Sequence, residues 1–116
     1  MKIKQIYMVK FSYRKKHGTT DYEFQSSSEN YVRIDGENNH DLRFIGLENS
    51  VYEQFIKEIT ALNIEEWKYK ISVDDLREPS WSILLCGSND YMFVESNRFQ
   101  KDYDRLFKII KKYDLD

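Results

Sequence analysis

The sequence has little of what staples or punctuates a chain. Its 116 residues include one cysteine, one proline and four glycines. A lone thiol, Cys86, forms no disulfide within the chain, so a disulfide-stapled secreted fold is excluded and a reducing compartment is expected. No segment approaches the roughly 20 consecutive apolar residues that span a bilayer. Met1-Lys2-Ile3-Lys4-Gln5-Ile6 alternates charged and apolar residues and lacks the continuous apolar stretch of a signal peptide. The expectation is a cytoplasmic protein with no membrane contact.

Charge of one sign is also missing. Eighteen basic and 20 acidic residues leave a formal charge of -2, with a pI near 5.7. A nucleic-acid binder carries a basic excess or a basic face, and this balance argues against that class. The glycines are scattered singly, so no phosphate-cradling loop can be built from them. No internal repeat and no low-complexity linker interrupts the chain.

What is present is material for one core. Hydrophobic residues make up 41% of the chain, and nine Tyr, seven Phe and two Trp raise the aromatic share to 16%. A single aromatic side chain buries roughly 150–250 Å², so a few inward rings stabilise a domain of this size. The mean hydropathy of -0.73 reflects a 33% charged fraction, which reads as a solvated surface around that core. One domain spanning 1–116 is expected. Heavy use of Lys, Ile, Asn, Asp and Tyr beside scarce Ala, Gly and Pro points to an AT-rich coding origin, bacterial or phage.

Hydrophobic periodicity sets the elements. Ile3 to Arg14 reads as a strand in which Tyr7, Val9, Phe11 and Tyr13 alternate with Met8, Lys10, Ser12 and Arg14. Gly18 can supply positive φ in a hairpin, after which Tyr22, Phe24 and Ser26 return. Tyr31 to Asp35 is a third strand, Asp35-Gly36 a turn pair, and Leu42 to Leu47 closes a second hairpin. A helix follows. Ser50 and Glu53 have the spacing of a capping box, and Tyr52, Phe55, Ile56, Ile59 and Leu62 fall on one helical face. Glu53 and Lys57 pair on the wet side, and the helix fades near Asn63.

Trp67 to Val73 alternates strictly and reads as a strand with one wet face. Asp74 to Pro79 is a turn. Trp81 to Cys86 is apolar on both faces and belongs centrally in the sheet, and Gly87-Ser88-Asn89-Asp90 turns it into Tyr91 to Glu95. The last helix opens at Ser96 or Asn97, with Gln100 as a second capping partner. Its apolar face is Phe99, Tyr103, Leu106, Phe107, Ile110 and Tyr113, and Lys108, Lys111 and Lys112 complement its C-terminal dipole. Short hairpins cannot join parallel neighbours. The fold class is therefore α+β, a mainly antiparallel sheet with two amphipathic helices packed on one face.

Candidate chemistry is sparse. Cys86 could serve as a nucleophile only beside an imidazole, and His17 and His40 both fall in polar loops; a free cysteine otherwise behaves as a small core hydrophobe. The two histidines and one cysteine have no zinc-ligand spacing. Asp74-Asp75 with Glu78 is an acidic turn without the spaced oxygens of a calcium loop, and Asp75 has no locatable carboxylate partner for hydrolysis. Arg14-Lys15-Lys16-His17 is a basic hairpin tip near tyrosines that could stack on bases, and single-strand binding there would weaken steeply with salt. Gly87 to Asp90 has the composition any hairpin turn requires. No cofactor is implied.

Trp67, Tyr69, the acidic turn at Asp74-Asp75, Trp81-Ser82-Ile83, Gly87-Ser88-Asn89-Asp90-Tyr91 and the closing helix at Phe99 together resemble a family of small uncharacterised bacterial and phage proteins. In that family a Trp/Tyr strand leads through an Asp-Gly turn to a Trp-x-Leu/Ile strand and a Gly-Ser-Asn-x-Tyr segment. The resemblance covers the second half of the chain. It departs where Leu76, not Gly, follows Asp75 and where Met92, not Pro, follows Tyr91. It implies the α+β fold and carries no assigned activity.

The functional expectation is a binding module rather than an enzyme: a small protein that inhibits, neutralises or regulates a larger one, as an anti-defence inhibitor or a toxin-immunity protein does. Charges of both signs suit steering and register, and Tyr and Arg dominate interface hot spots. The outer strand surface is the expected contact, through Arg14, Lys16, Arg33, Asn38, Asn39, His40, Asp41 and Arg43. Tyr22 to Ser27, taken as an exposed edge strand, could pair a homodimer. An enzyme using Cys86 or Asp75, and a nucleic-acid binder using the Lys15/Lys16 hairpin, are the alternatives.

Overall fold

The computed structural model describes residues 4–15, 18–36, 42–66, 80–96 and 101–114. In chain order the elements are β1 (Met8–Lys15), β2 (Gly18–Ser26), β3 (Asn30–Asp35), β4 (Leu42–Gly46), α1 (Asn49–Thr60), a 3-10 turn (Ile64–Glu66), β5 (Ser80–Cys86), β6 (Tyr91–Ser96) and α2 (Lys101–Lys111). The strands form a six-stranded sheet in the order β4-β3-β2-β1-β5-β6, and every neighbouring pair is antiparallel. The fold is α+β, as the order of hairpins and amphipathic helices predicts.

Alternation decides which face is core. Val9 and Phe11 of β1 lie across from Phe24 and Tyr22 of β2, and from Leu85 and Ile83 of β5. All six are buried, together with Val32 and Ile34 of β3. Both helices pack on this face. Phe55 of α1 stacks on Phe24 with ring centroids 3.8 Å apart, and Phe107 of α2 meets Phe11 edge-on at 6.2 Å. Tyr113, just beyond α2, stands edge-on to both Phe24 and Phe55, so one ring joins sheet and both helices. Tyr52, Phe55, Ile59 and Leu62 are buried as their helical spacing requires. No helix among the described residues is long and apolar enough to cross a membrane.

Several boundaries differ from the sequence expectation. The first strand begins at Met8 rather than Ile3, because Gln5 takes a φ of 54° and breaks the extended chain before it. The expected capping box does not form: α1 starts at Asn49 with Glu48 as its cap residue and no side-chain cap bond. Ser50 thus lies within the first turn, where its hydroxyl cannot take the cap position. The helix ends at Thr60, and Asn63 takes a left-handed φ of 52°, close to the expected fade. Ser96 ends β6 and is fully buried, while α2 is described from Lys101.

Two placements in the sheet also change. Tyr22 to Ser27 is not an edge: β2 is hydrogen-bonded to β1 on one side and β3 on the other, and the edges among the described strands are β4 and β6. The doubly apolar β5 is internal but sits second from an edge, between β1 and β6. The strand expected over 67–73, the turn over 74–79 and Phe99 lie outside the described residues.

Candidate functional site

The face of the sheet opposite the helices carries the least expected feature. Residues directly across an antiparallel ladder share a face, so the registers align three rows across all six strands. The middle row reads Phe44, Arg33, Glu23, Lys10, Leu84 and Phe93 from β4 to β6. On one side of it runs Gly46, Tyr31, Gln25, Met8, Cys86 and Tyr91. On the other runs Leu42, Asp35, Asp21, Ser12, Ser82 and Glu95. Apart from Glu95 on β6, the charged groups of these rows lie on the middle strands β1 to β3, and large apolar side chains stand at both edges.

Those edge side chains are exposed. Phe44 shows 63% of its surface, Leu42 46%, Tyr91 70% and Phe93 51%. Tyr31 leans on Phe44 with ring centroids 6.1 Å apart, making an aromatic ledge on the β4 side. On the β6 side, Tyr7, Leu84, Cys86 and Tyr91 line a shallow hollow of about 560 Å³ together with the Gly87–Asp90 turn. Between the two ledges the polar groups are partly satisfied within the face. Ser12 donates to Asp21, Gln25 donates to Glu23 at 3.2 Å, and Arg33 pairs with Asp35 at 3.4 Å.

The expected interface residues divide. Arg33 lies on this open face, and Arg14 sits at its end, across from Thr19 and Ser80. Arg43 does not. It shares the helix-covered side with Ile34 and bonds Asp114 beyond α2 at 2.7 Å. Lys16, Asn38, Asn39, His40 and Asp41 lie outside the described residues, as do His17 and Asp75. Sequence reasoning passed over Phe44, Tyr91 and Phe93 as contact residues; the signal for them was that β6 is apolar on both faces although only one of them meets the helices.

Cys86 is placed on the open face rather than in the core, half-buried between Met8 and Tyr91 in its row. Burial pushes its thiol up, away from the thiolate a nucleophile needs. No histidine is among the described residues to act as its base. Among the described residues there is no group of three His, Cys, Asp or Glu side chains able to hold a metal ion.

A second cluster lies at the far end of the helix side. Asp114 accepts from Tyr22 Oη at 2.9 Å, from Lys111 Nζ at 2.9 Å and from Arg43 at 2.7 Å. Burial works to raise its carboxyl, but the bonds from Lys111, Tyr22 and Arg43 overcome that and hold it below the usual range. Tyr22 is pushed in the opposite direction, by burial first and then by the carboxylate it donates to. A tyrosine held protonated against a fully engaged carboxylate offers neither base nor nucleophile. The cluster is a clamp that ties α2 to β2 and β4.

A cleft of about 360 Å³ separates α1 from the segment before β1, lined by Gln5, Ile6, Tyr52, Glu53, Ile56 and Lys57. Tyr52 Oη spans it to the backbone oxygen of Ile6 at 3.2 Å. Its lining mixes Ile6, Ile56 and the Tyr52 ring with polar side chains, and its two charged groups are of opposite sign. No protein family profile and no curated protein matches the chain.

Proposed function

We propose that this domain works by protein–protein contact through the open face of its sheet, as a small cytoplasmic inhibitor, immunity-type protein or regulator of a larger protein. The observation that carries the reading is the exposure of Leu42, Phe44, Tyr91 and Phe93 on one face, in two ledges that bracket a charged stripe. An antiparallel sheet with a solvated face ordinarily presents polar side chains there. Single exposed apolar residues need no explanation, but clustered ones mark interaction surfaces. The charged stripe adds register and selectivity. The raised thiol of Cys86 favours a binder over a cysteine enzyme, and a lone thiol suits a reducing cytoplasm.

The test compares the tagged protein with a Phe44→Lys/Phe93→Lys variant in affinity capture from the lysate of the native host. Under this reading the native protein retains a stoichiometric protein partner and the variant loses it. Equal retention by both would move the contact off this face, and a native protein that retains nothing would remove the reading.

A further inference from the structure

We infer that, in the free protein, the open face is closed by a second copy of the chain, the two sheets packing face to face about a two-fold axis that runs along the strands between β1 and β2. This deepens the reading of the face as a contact surface and rests on it. The order of charges in the middle row points to this arrangement. From β4 to β6 it reads Phe44, Arg33, Glu23, Lys10, Leu84, Phe93. A two-fold along the strands, placed at the centre of the sheet, lays β1 over the β2 of the other copy and β4 over its β6.

Lys10 of each copy then lies over Glu23 of the other, which makes two opposite-charge pairs at the centre by symmetry. The Phe44 ledge of each copy meets the Phe93 ledge of the other, and Arg33 lays its stem over Leu84. The acidic row obeys the same operator without conflict. Asp21 faces Ser12, Asp35 faces Ser82, and Glu95 faces Leu42, so no carboxylate meets another. Face-to-face sheets pack about 10 Å apart with strands within roughly 30° of each other. That rotation leaves the central pairs opposed, because they lie nearest the axis.

Other arrangements fail on the same charges. A two-fold across the strands, through the middle row, sets Lys10 over Lys10, Glu23 over Glu23 and Arg33 over Arg33. An axis along the strands but beneath β1 or β2 sets Lys10 or Glu23 over itself. Only the central axis both covers all six strands and pairs opposite charges. Six strands at about 4.8 Å spacing give a face on the order of 500 Å² in projection. Side-chain relief brings its accessible surface toward the roughly 800 Å² per partner of a standard interface.

Sedimentation equilibrium over a concentration series tests this with the native chain, Lys10→Glu, Glu23→Lys and an equimolar mixture of the two variants. Each variant alone opposes like charges twice across the axis, so its dimer dissociates at least about ten-fold more readily than the native one. In the mixture, the carboxylate introduced at position 10 of one chain faces the ammonium introduced at position 23 of the other. The unchanged Glu23 of the first chain likewise faces the unchanged Lys10 of the second. The mixture therefore recovers dimer, as a heterodimer, which damage within either chain could not produce. A native protein that is monomeric throughout the series, or variants that dimerise as well as the native chain, would overturn the inference. A monomer that still captures another protein through Phe44 and Phe93 would overturn the self-association and leave the contact surface standing.

Discussion

The hydroxyl of Tyr22, at the centre of the sheet, donates to the carboxylate of Asp114 at 2.9 Å across 92 positions of sequence. Arg43 and Lys111 reach the same carboxylate, whose side chain is 8% exposed. The end of α2 is thereby fixed to β2 and β4 by one anion with three donors. Removing one donor leaves the buried anion underserved, and a hydrogen bond to a charged group contributes about 1.5–3 kcal/mol. Tyr22→Phe should therefore lower stability by about that amount in denaturant titration. A change near zero would show that the Arg43 and Lys111 bonds suffice.

The same carboxylate predicts an acid dependence. Asp114 titrates below its ordinary value of 3.8 in the fold, so its stabilisation is complete above the unfolded value and is lost as pH falls through the folded one. Asp114→Asn removes that group. The stability gap between the native protein and this variant should be widest near neutral pH and should shrink steadily below about pH 4. A gap constant across the acid range would contradict the assignment.

Tyrosines predict the alkaline limb. Burial pushes Tyr52 and Tyr103 up to about 12, and burial with the neighbouring Glu58 carboxylate does the same for Tyr113. Tyr22 is raised as well. These groups keep their protons in the fold at pH values where the unfolded chain has lost them. Their contribution to stability is thus fully present below about pH 10 and falls away as pH rises from there toward about 12. Ultraviolet titration should show their ionisation appearing late and together with loss of the fold; early ionisation of the full set would contradict the packing.

The open-face aromatics predict the reverse of a core. At protein concentrations low enough that the chain is monomeric, Phe44→Lys and Phe93→Lys should each change stability by no more than about 0.5 kcal/mol, because side chains exposed in the single chain contribute little to its folding. Phe55→Ala, beneath the 3.8 Å stack on Phe24, should cost about 3–5 kcal/mol. If Phe93→Lys proved as costly as Phe55→Ala, Phe93 would be a core residue and the face would not be open.

Much of the fold was legible because period-2 and period-3.6 patterns are direct consequences of one-sided burial. Val9 and Phe11, the α1 face from Tyr52 to Leu62 and the Gly87–Asp90 turn all lie where their spacing places them. Pattern could not say which way an ambiguous strand faces. β4 reads Leu42-Arg43-Phe44-Ile45, and parity with Ile34 and Val32 turns Arg43 and Ile45 inward and Leu42 and Phe44 out. The inward-turned Arg43 meets Asp114, a contact 71 positions away in sequence. Likewise β5 is apolar on both faces, so composition alone could not put Cys86 on the open side. The make-up of the open face was hidden for that reason: its rows exist only once six registers are known.

The most direct test of the contact surface is site-specific photo-crosslinking in the native host. A photoreactive phenylalanine analogue replaces Phe93 in one version of the protein and Gln54, exposed on the outer side of α1, in another. A discrete protein adduct is expected from position 93, whether to a second copy or to a different chain, and none from position 54. Adducts from position 54 with none from position 93 would show that the protein makes its contacts on the helix side, and the open face would lose its role.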